Sequence, residues 1–156
     1  FALYRPASTA VGMYQMTDPA FAEARRYCIR RHVVADDGGE GCWFTGLYSR
    51  LLPSHAIELA AVYLDRHVAD ILAERPAARP SAEQRQDLAA VVHLCGAGPA
   101  RDFARRGFRL APGERCGDHD VAAYVRQAGV LRREFRLLAA AGQAPAAPPK
   151  GLIPAS

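Results

Sequence analysis

The stretch Gly12-Met13-Tyr14-Gln15-Met16-Thr17 sets a glycine, bulky apolar groups and one amide side by side. Such residues can pack into a wall that offers a hydrogen-bonding amide to a ligand; taken alone, they read as the lead-in to a helix. A second stretch, Gly96-Ala97-Gly98-Pro99, carries a G-x-G. It follows a helical pattern rather than a strand and lacks a third glycine, so dinucleotide binding is not supported. Gly96 and Gly98 let a ligand approach the backbone closely, and they serve equally well as a corner between helices. Glu58, with His55 near it, falls on the first turn of a helical pattern. A carboxylate among apolar neighbours is a candidate acid with a raised pKa, whereas a solvated one merely complements the helix N-terminus. Tyr124 falls on the apolar face of the last helical pattern, where it fills core or holds a site residue through its hydroxyl.

Four cysteines, Cys28, Cys42, Cys95 and Cys116, show no Cys-x-x-Cys. An even count at wide spacing suits disulfides in an oxidising compartment, with pairing 28–42 and 95–116 preferred among the possible connectivities. Buried free thiols in a cytosolic protein are the other reading. Cys95, Cys116 and His119 could begin a zinc site, yet no further pair is spaced to complete its ligands, so no metal is expected. Arg105-Arg106 and Arg132-Arg133 lack interleaved aromatics; they read as solvated faces, and no nucleic-acid partner is expected.

These residues need a scaffold, and the hydrophobic spacing is helical almost throughout. Asp18-Pro19 reads as N-cap and first helical position of a helix that stops near His32, with Phe21, Ala24 and Cys28 on one face. A second helix starts at Pro53-Ser54 and ends before Pro76, with Ile57, Ala60, Ala61, Leu64, Val68, Ile71 and Leu72 at inward spacing. Ser81-Ala82-Glu83-Gln84 is a capping box, followed by Leu88, Val91, Val92 and Cys95 along one face. Gly96 breaks that helix and opens a short fourth one through Phe103. The last helix starts around Asp118–Asp120, with Val121, Tyr124, Val125, Ala128, Leu131, Phe135 and Leu138 inward. The spacing therefore predicts an all-α domain of about five helices over 1–141, a mobile Ala/Pro-rich tail over 142–156, and a short extended piece around 42–47.

Composition agrees with a single domain. The 156 residues are 50% hydrophobic and 23% charged, enough apolar material for one core and too much for wholesale disorder. No apolar run reaches bilayer length. Lys and Arg number 20 against 16 Asp and Glu, a net +4 that favours acidic partners without identifying one. The start Phe1-Ala2-Leu3-Tyr4-Arg5 does not look like a signal peptide, which suggests a processed or trimmed chain.

The motifs also fall in a known order. Gly12-Met13-Tyr14-Gln15 resembles the G-L-M-Q motif of lytic transglycosylases of the lysozyme-like superfamily, and Ser8 resembles the serine ahead of it. Ile57-x-x-Ala60-x-x-Tyr63-Leu64 is similar to that family's I-x-x-G-x-x-Y-L helix. Leu94-Cys95-Gly96-Ala97-Gly98-Pro99 is similar in place to A-Y-N-A-G-P, with Cys95 and Gly96 standing where the family has Tyr and Asn. Asp120-x-x-x-Tyr124-Val125 resembles the closing E-T-x-x-Y-V. In the family's E-S-x-F the Phe matches Phe1, so the catalytic Glu aligns ahead of Phe1.

The resemblance implies a lysozyme-like helical fold and cleavage of the β-1,4 bond between N-acetylmuramic acid and N-acetylglucosamine in peptidoglycan. A single Glu protonates the glycosidic oxygen, then acts as base while the muramoyl 6-hydroxyl closes a 1,6-anhydro ring. Met13 and Tyr14 would desolvate that Glu and Tyr124 would orient it, while Ser8, Gln15 and the backbone at Gly96 and Gly98 would contact glycan. Glu58 is the alternative acid within the chain. The chemistry needs no cofactor. The implied partners are peptidoglycan strands and an envelope-spanning protein assembly, in the periplasm or outside the cell. A non-catalytic relative that binds glycan or a partner through the same cleft is the alternative.

Overall fold

Helix start and stop signals account for most of the architecture. The computed structural model describes residues 9, 10, 12, 14–30, 33–35 and 47–143; Ser8, Met13 and Cys42 lie outside them. In chain order the elements are α1 (Asp18–Ala24), β1 (Cys28–Arg30), β2 (Val33–Ala35), α2 (Pro53–Ala73), α3 (Ala82–Cys95), α4 (Ala97–Arg105), β3 (Arg115–Cys116), β4 (His119–Asp120) and α5 (Val121–Gln143). The fold is all-α with five helices among the described residues, and the strands form only two short antiparallel pairs, β1–β2 and β3–β4.

The capping box at α3 is present in full. Gln84 N donates to Ser81 Oγ at 3.1 Å, and Ser81 N donates to Gln84 Oε1 at 2.8 Å. Pro53 starts α2, where its missing N–H is no loss. Gly96, at φ +82°, ends α3 and turns the chain into α4. α3 is the central helix and packs against α2, α4 and α5.

Two apolar clusters result. The larger joins Ile71, Leu88, Val91, Val92, Ala100, Phe103, Ala104, Val121 and Val125 across α2 to α5. The smaller joins Met16, Ala24, Leu59 and Ala60 between the α1 segment and α2. Tyr63 packs against both. A disulfide between Cys95 and Cys116, as expected, ties the end of α3 to β3. Cys28 is also disulfide-bonded. Among the described residues no helix is long and apolar enough to cross a membrane.

Several expectations are corrected. Thr17, not Asp18, is the N-cap of α1, and the helix ends at Ala24 instead of near His32. Cys28–Arg30 pairs with Val33–Ala35 because the β-branched Ile29, Val33 and Val34 favour extended backbone once the two segments can pair. On α2, Ile57 is 48% exposed and Ala61 is exposed, while Ala56, Leu59 and Ala60 are buried. The buried arc is rotated because the segment before α2 and α1 both cover its first turns. The fourth helix runs past Phe103 to Arg105, and α5 begins after β4 and continues to Gln143.

On α5, Leu131, Phe135 and Leu138 face outward, at 51%, 68% and 66% exposure. Arg132 holds Asp87 at 2.7 Å and Arg136 bonds Gln86 at 3.1 Å, so the arginine side of that helix faces α3. Helical spacing says which side chains share a face but not which face docks. Three of the four paired arginines, expected to be merely solvated, hold acids: Arg105 with Asp102 (2.9 Å), Arg106 with Glu114 (2.8 Å) and Arg132 with Asp87.

Candidate functional site

A groove of about 220 Å³ opens between the two clusters. Tyr14, Gln15, Met16 and Thr17 line one side, Ala60, Tyr63 and Leu64 from α2 form another, and Val92, His93, Leu94 and Gly96 close it from the end of α3. Three stretches far apart in sequence thus meet around one concavity.

The first wall is a strained turn held by a neighbour. Gly12 has φ +81°, and a Cβ placed there would lie 2.1 Å from the carbonyl oxygen of Arg50. Only glycine fits such a close approach without movement. Gln15 adopts φ 49°, a left-handed conformation that costs an ordinary residue roughly 1–2 kcal/mol. Its turn is closed twice by the Gly12 carbonyl, which accepts from Gln15 N at 3.1 Å and from Gln15 Nε2 at 2.8 Å. The Gln15 amide, expected to address a ligand, therefore already holds its own turn through Nε2.

Arg50 clamps the same segment. Its guanidinium donates to Met16 O at 2.8 Å and Thr9 O at 3.2 Å, pairs with Asp18, and lies over the Phe21 ring at 5.0 Å. A planar fork that serves several acceptors at once suits Arg and not Lys. Thr9 Oγ1 accepts from Asp18 N at 3.1 Å, which completes the lead-in to α1. Sequence reasoning missed Arg50, because its hydrogen-bonding partners lie 32 or more residues away.

His93 is the residue of the opposite wall that sequence reasoning also missed. It is exposed where it borders the groove. Its ring meets Tyr14 edge-on with centroids 6.4 Å apart, and lies near-parallel to Tyr124 at 6.3 Å. Protein packed around the imidazole lowers its pKa from the ordinary 6.5 by desolvation. Burial likewise raises the pKa of the Tyr124 hydroxyl. Tyr63 is raised first by burial and then by the charge of Glu23, whose carboxylate lies 3.1 Å from His67 Nε2. The only sequence signal for His93 was its place one helical turn before Gly96.

The remaining predicted residues divide. Tyr14, Gln15 and Gly96 line the groove, and Tyr124 stands behind His93. Gly98 lies in α4, exposed and outside the lining, with open space where a Cβ would stand. Glu58 is also outside it. Tyr48 donates its hydroxyl to Glu58 Oε2 at 2.5 Å and stacks on His55 at 4.3 Å, so this carboxylate anchors the segment before α2. The Tyr48 pKa is pushed up from 10.0 to about 12, mainly by burial and further by the Glu58 bond and charge.

Among the described residues no Asp or Glu lines the groove, and no three His, Cys, Asp or Glu side chains gather where they could hold a metal ion. The groove can thus stack a ring or apolar face on tyrosines, hydrogen-bond through Thr17 and His93, and take backbone contact at Gly96. The chain matches no protein-family model, no curated protein and no solved structure.

Proposed function

We propose that this groove binds cell-wall glycan and that the chain is a lytic transglycosylase-like domain acting on peptidoglycan. The observation that supports this reading is the convergence of three motif segments, Tyr14-Gln15, Ala60-Tyr63-Leu64 and Leu94-Gly96, on one concavity. Aromatic rings with few polar groups suit N-acetylated sugars, whose apolar ring faces stack while their amides and hydroxyls need hydrogen bonds. In the reaction that the resemblance implies, a Glu gives its proton to the glycosidic oxygen as the bond to C1 breaks. It then receives the proton of the muramoyl 6-hydroxyl as that oxygen bonds C1. The described residues provide walls: Tyr14 and Met16 exclude water, and Gly96 admits the sugar backbone-close. Disulfide bonding fits a periplasmic or secreted setting.

The test is to incubate the full gene product with purified peptidoglycan and analyse the soluble fragments by mass spectrometry. Fragments ending in 1,6-anhydro-muramoyl groups support the reading; their absence, with no binding to the insoluble wall, removes it. A specific observation favours a second reading, a glycan-binding relative without turnover. Cys95, where the family has Tyr, is locked in a disulfide, and Gly96, where it has Asn, has no side chain to offer. Sedimentation with peptidoglycan and no fragment release distinguishes it.

A further inference from the structure

Among the described residues, His93 is the one imidazole that lines the groove, the side-chain type whose charge responds to mild acid. The other titratable groups there are tyrosines, Tyr14 from the α1 lead-in and Tyr63 from α2, with Tyr124 of α5 behind the imidazole. α1 contributes Ala20 to this lining, and no Asp, Glu, Lys or Arg stands among the described lining residues. A neutral imidazole presents one N–H donor and one acceptor nitrogen, a match for the carbonyl of an acetamido group and a sugar hydroxyl. Protonation turns the acceptor into a second donor.

We propose that His93 is a ligand-contacting residue of the groove, and that an uncharged N-acetylated glycan binds best when its imidazole is neutral. The glycan part rests on the function proposed above. The sign follows from burial. A sugar lying on His93 strips water from the imidazole face that is now open, which penalises the charged form further. By linkage, protonation then weakens binding by the same factor. An anionic ligand gives the opposite sign, since it would hold the imidazolium.

The test is calorimetric titration with an N-acetylglucosamine oligomer, which is uncharged throughout, at constant ionic strength from pH 8 to pH 5. Wild type is compared with His93→Gln and Tyr14→Ala, and circular dichroism checks folding at each pH. Wild-type affinity should fall on acidification, about tenfold for each pK unit by which the bound sugar lowers the histidine. His93→Gln should bind more weakly than wild type at pH 8, because the ring contact is lost, and should give a flat profile, because an amide does not titrate. His67, paired with Glu23 beside Tyr63, is present in both proteins, so their difference isolates His93. A His93→Gln profile that tracks wild type, or wild-type affinity that rises with acid, overturns the inference. If Tyr14→Ala abolishes binding while His93→Gln changes nothing, the inference fails and the glycan reading survives. If wild type binds neither the oligomer nor peptidoglycan at any pH, the glycan reading fails too.

Discussion

Replacing Cys95 and Cys116 together by serine removes the link between the end of α3 and β3 without leaving a reactive thiol. The bridge spans 21 residues of sequence. In the chain-entropy account, closing a loop of that length removes about 11 cal/mol/K from the unfolded ensemble, or about 3.3 kcal/mol at room temperature. Both cysteines also pack, partly buried, against the larger core cluster, so the exchange adds a smaller loss of contact. Against a total stability of about 5–15 kcal/mol for a typical domain, the loss is about a fifth to two thirds. Urea unfolding followed by far-ultraviolet circular dichroism, with the Cys28 disulfide left oxidised, should show a midpoint lower by about 1–3 M. Leu94 and Gly96, which flank Cys95, line the groove, so amide exchange at Gly96 should accelerate more than at Leu59. A loss below about 1 kcal/mol would refute the reasoning, because the entropic term alone exceeds it. So would unchanged exchange at Gly96.

Gly12→Ala forces a Cβ against the Arg50 carbonyl at φ +81°, and the strained backbone alone should cost about 1–3 kcal/mol in chemical denaturation; an unchanged midpoint would contradict the turn. Arg50→Met removes the clamp on Thr9, Met16 and Asp18 and should cost roughly 2–3 kcal/mol, with Arg50→Lys intermediate, and ligand affinity should fall with it. Ultraviolet titration should find Tyr48 near 12 and, in Glu58→Gln, lower but still above 10.0, since burial is the largest cause of its shift. The native pKa exceeds the unfolded one, so the native state holds more protons in this window; Tyr48's contribution is intact below pH 10.0 and lost as pH rises towards about 12. A Tyr48 that titrates identically in both proteins would exclude the Glu58 contribution.

Local signals carried the helices. The Ser81–Gln84 capping box, Pro53 and Gly96 each act within one turn, so their residues alone set where α2, α3 and α4 begin or end. Cys95–Cys116 was also legible, because the shorter loop is the natural pairing once cysteines oxidise. The first helix was overextended because Cys28 falls at helical spacing from Ala24, while the partner that makes Cys28–Arg30 a strand lies beyond a turn. The outward face of α5 was unreadable for a related reason. Leu131, Phe135 and Leu138 share a face by periodicity, but Asp87 and Gln86 on α3 draw the arginine side inward.

The candidate site divides the same way. Tyr14, Gln15 and Gly96 were visible as residue types at unusual spacing, since a glycine beside bulky groups or at a helix end announces itself locally. That they share a groove with Tyr63 and His93 depends on where α2 and α3 cross. Glu58 illustrates the limit: its place near the start of α2 was readable, but it lies in the second turn and not the first, and its engagement by Tyr48 followed from how the preceding segment folds back. The sequence by itself determined the helical class and where α2, α3 and α4 begin, because those rest on interactions a few residues long. Only the tertiary structure decided which faces dock, that Arg50 reaches back to Met16, and that His93 borders the groove, because those depend on long-range packing that neither spacing nor composition encodes.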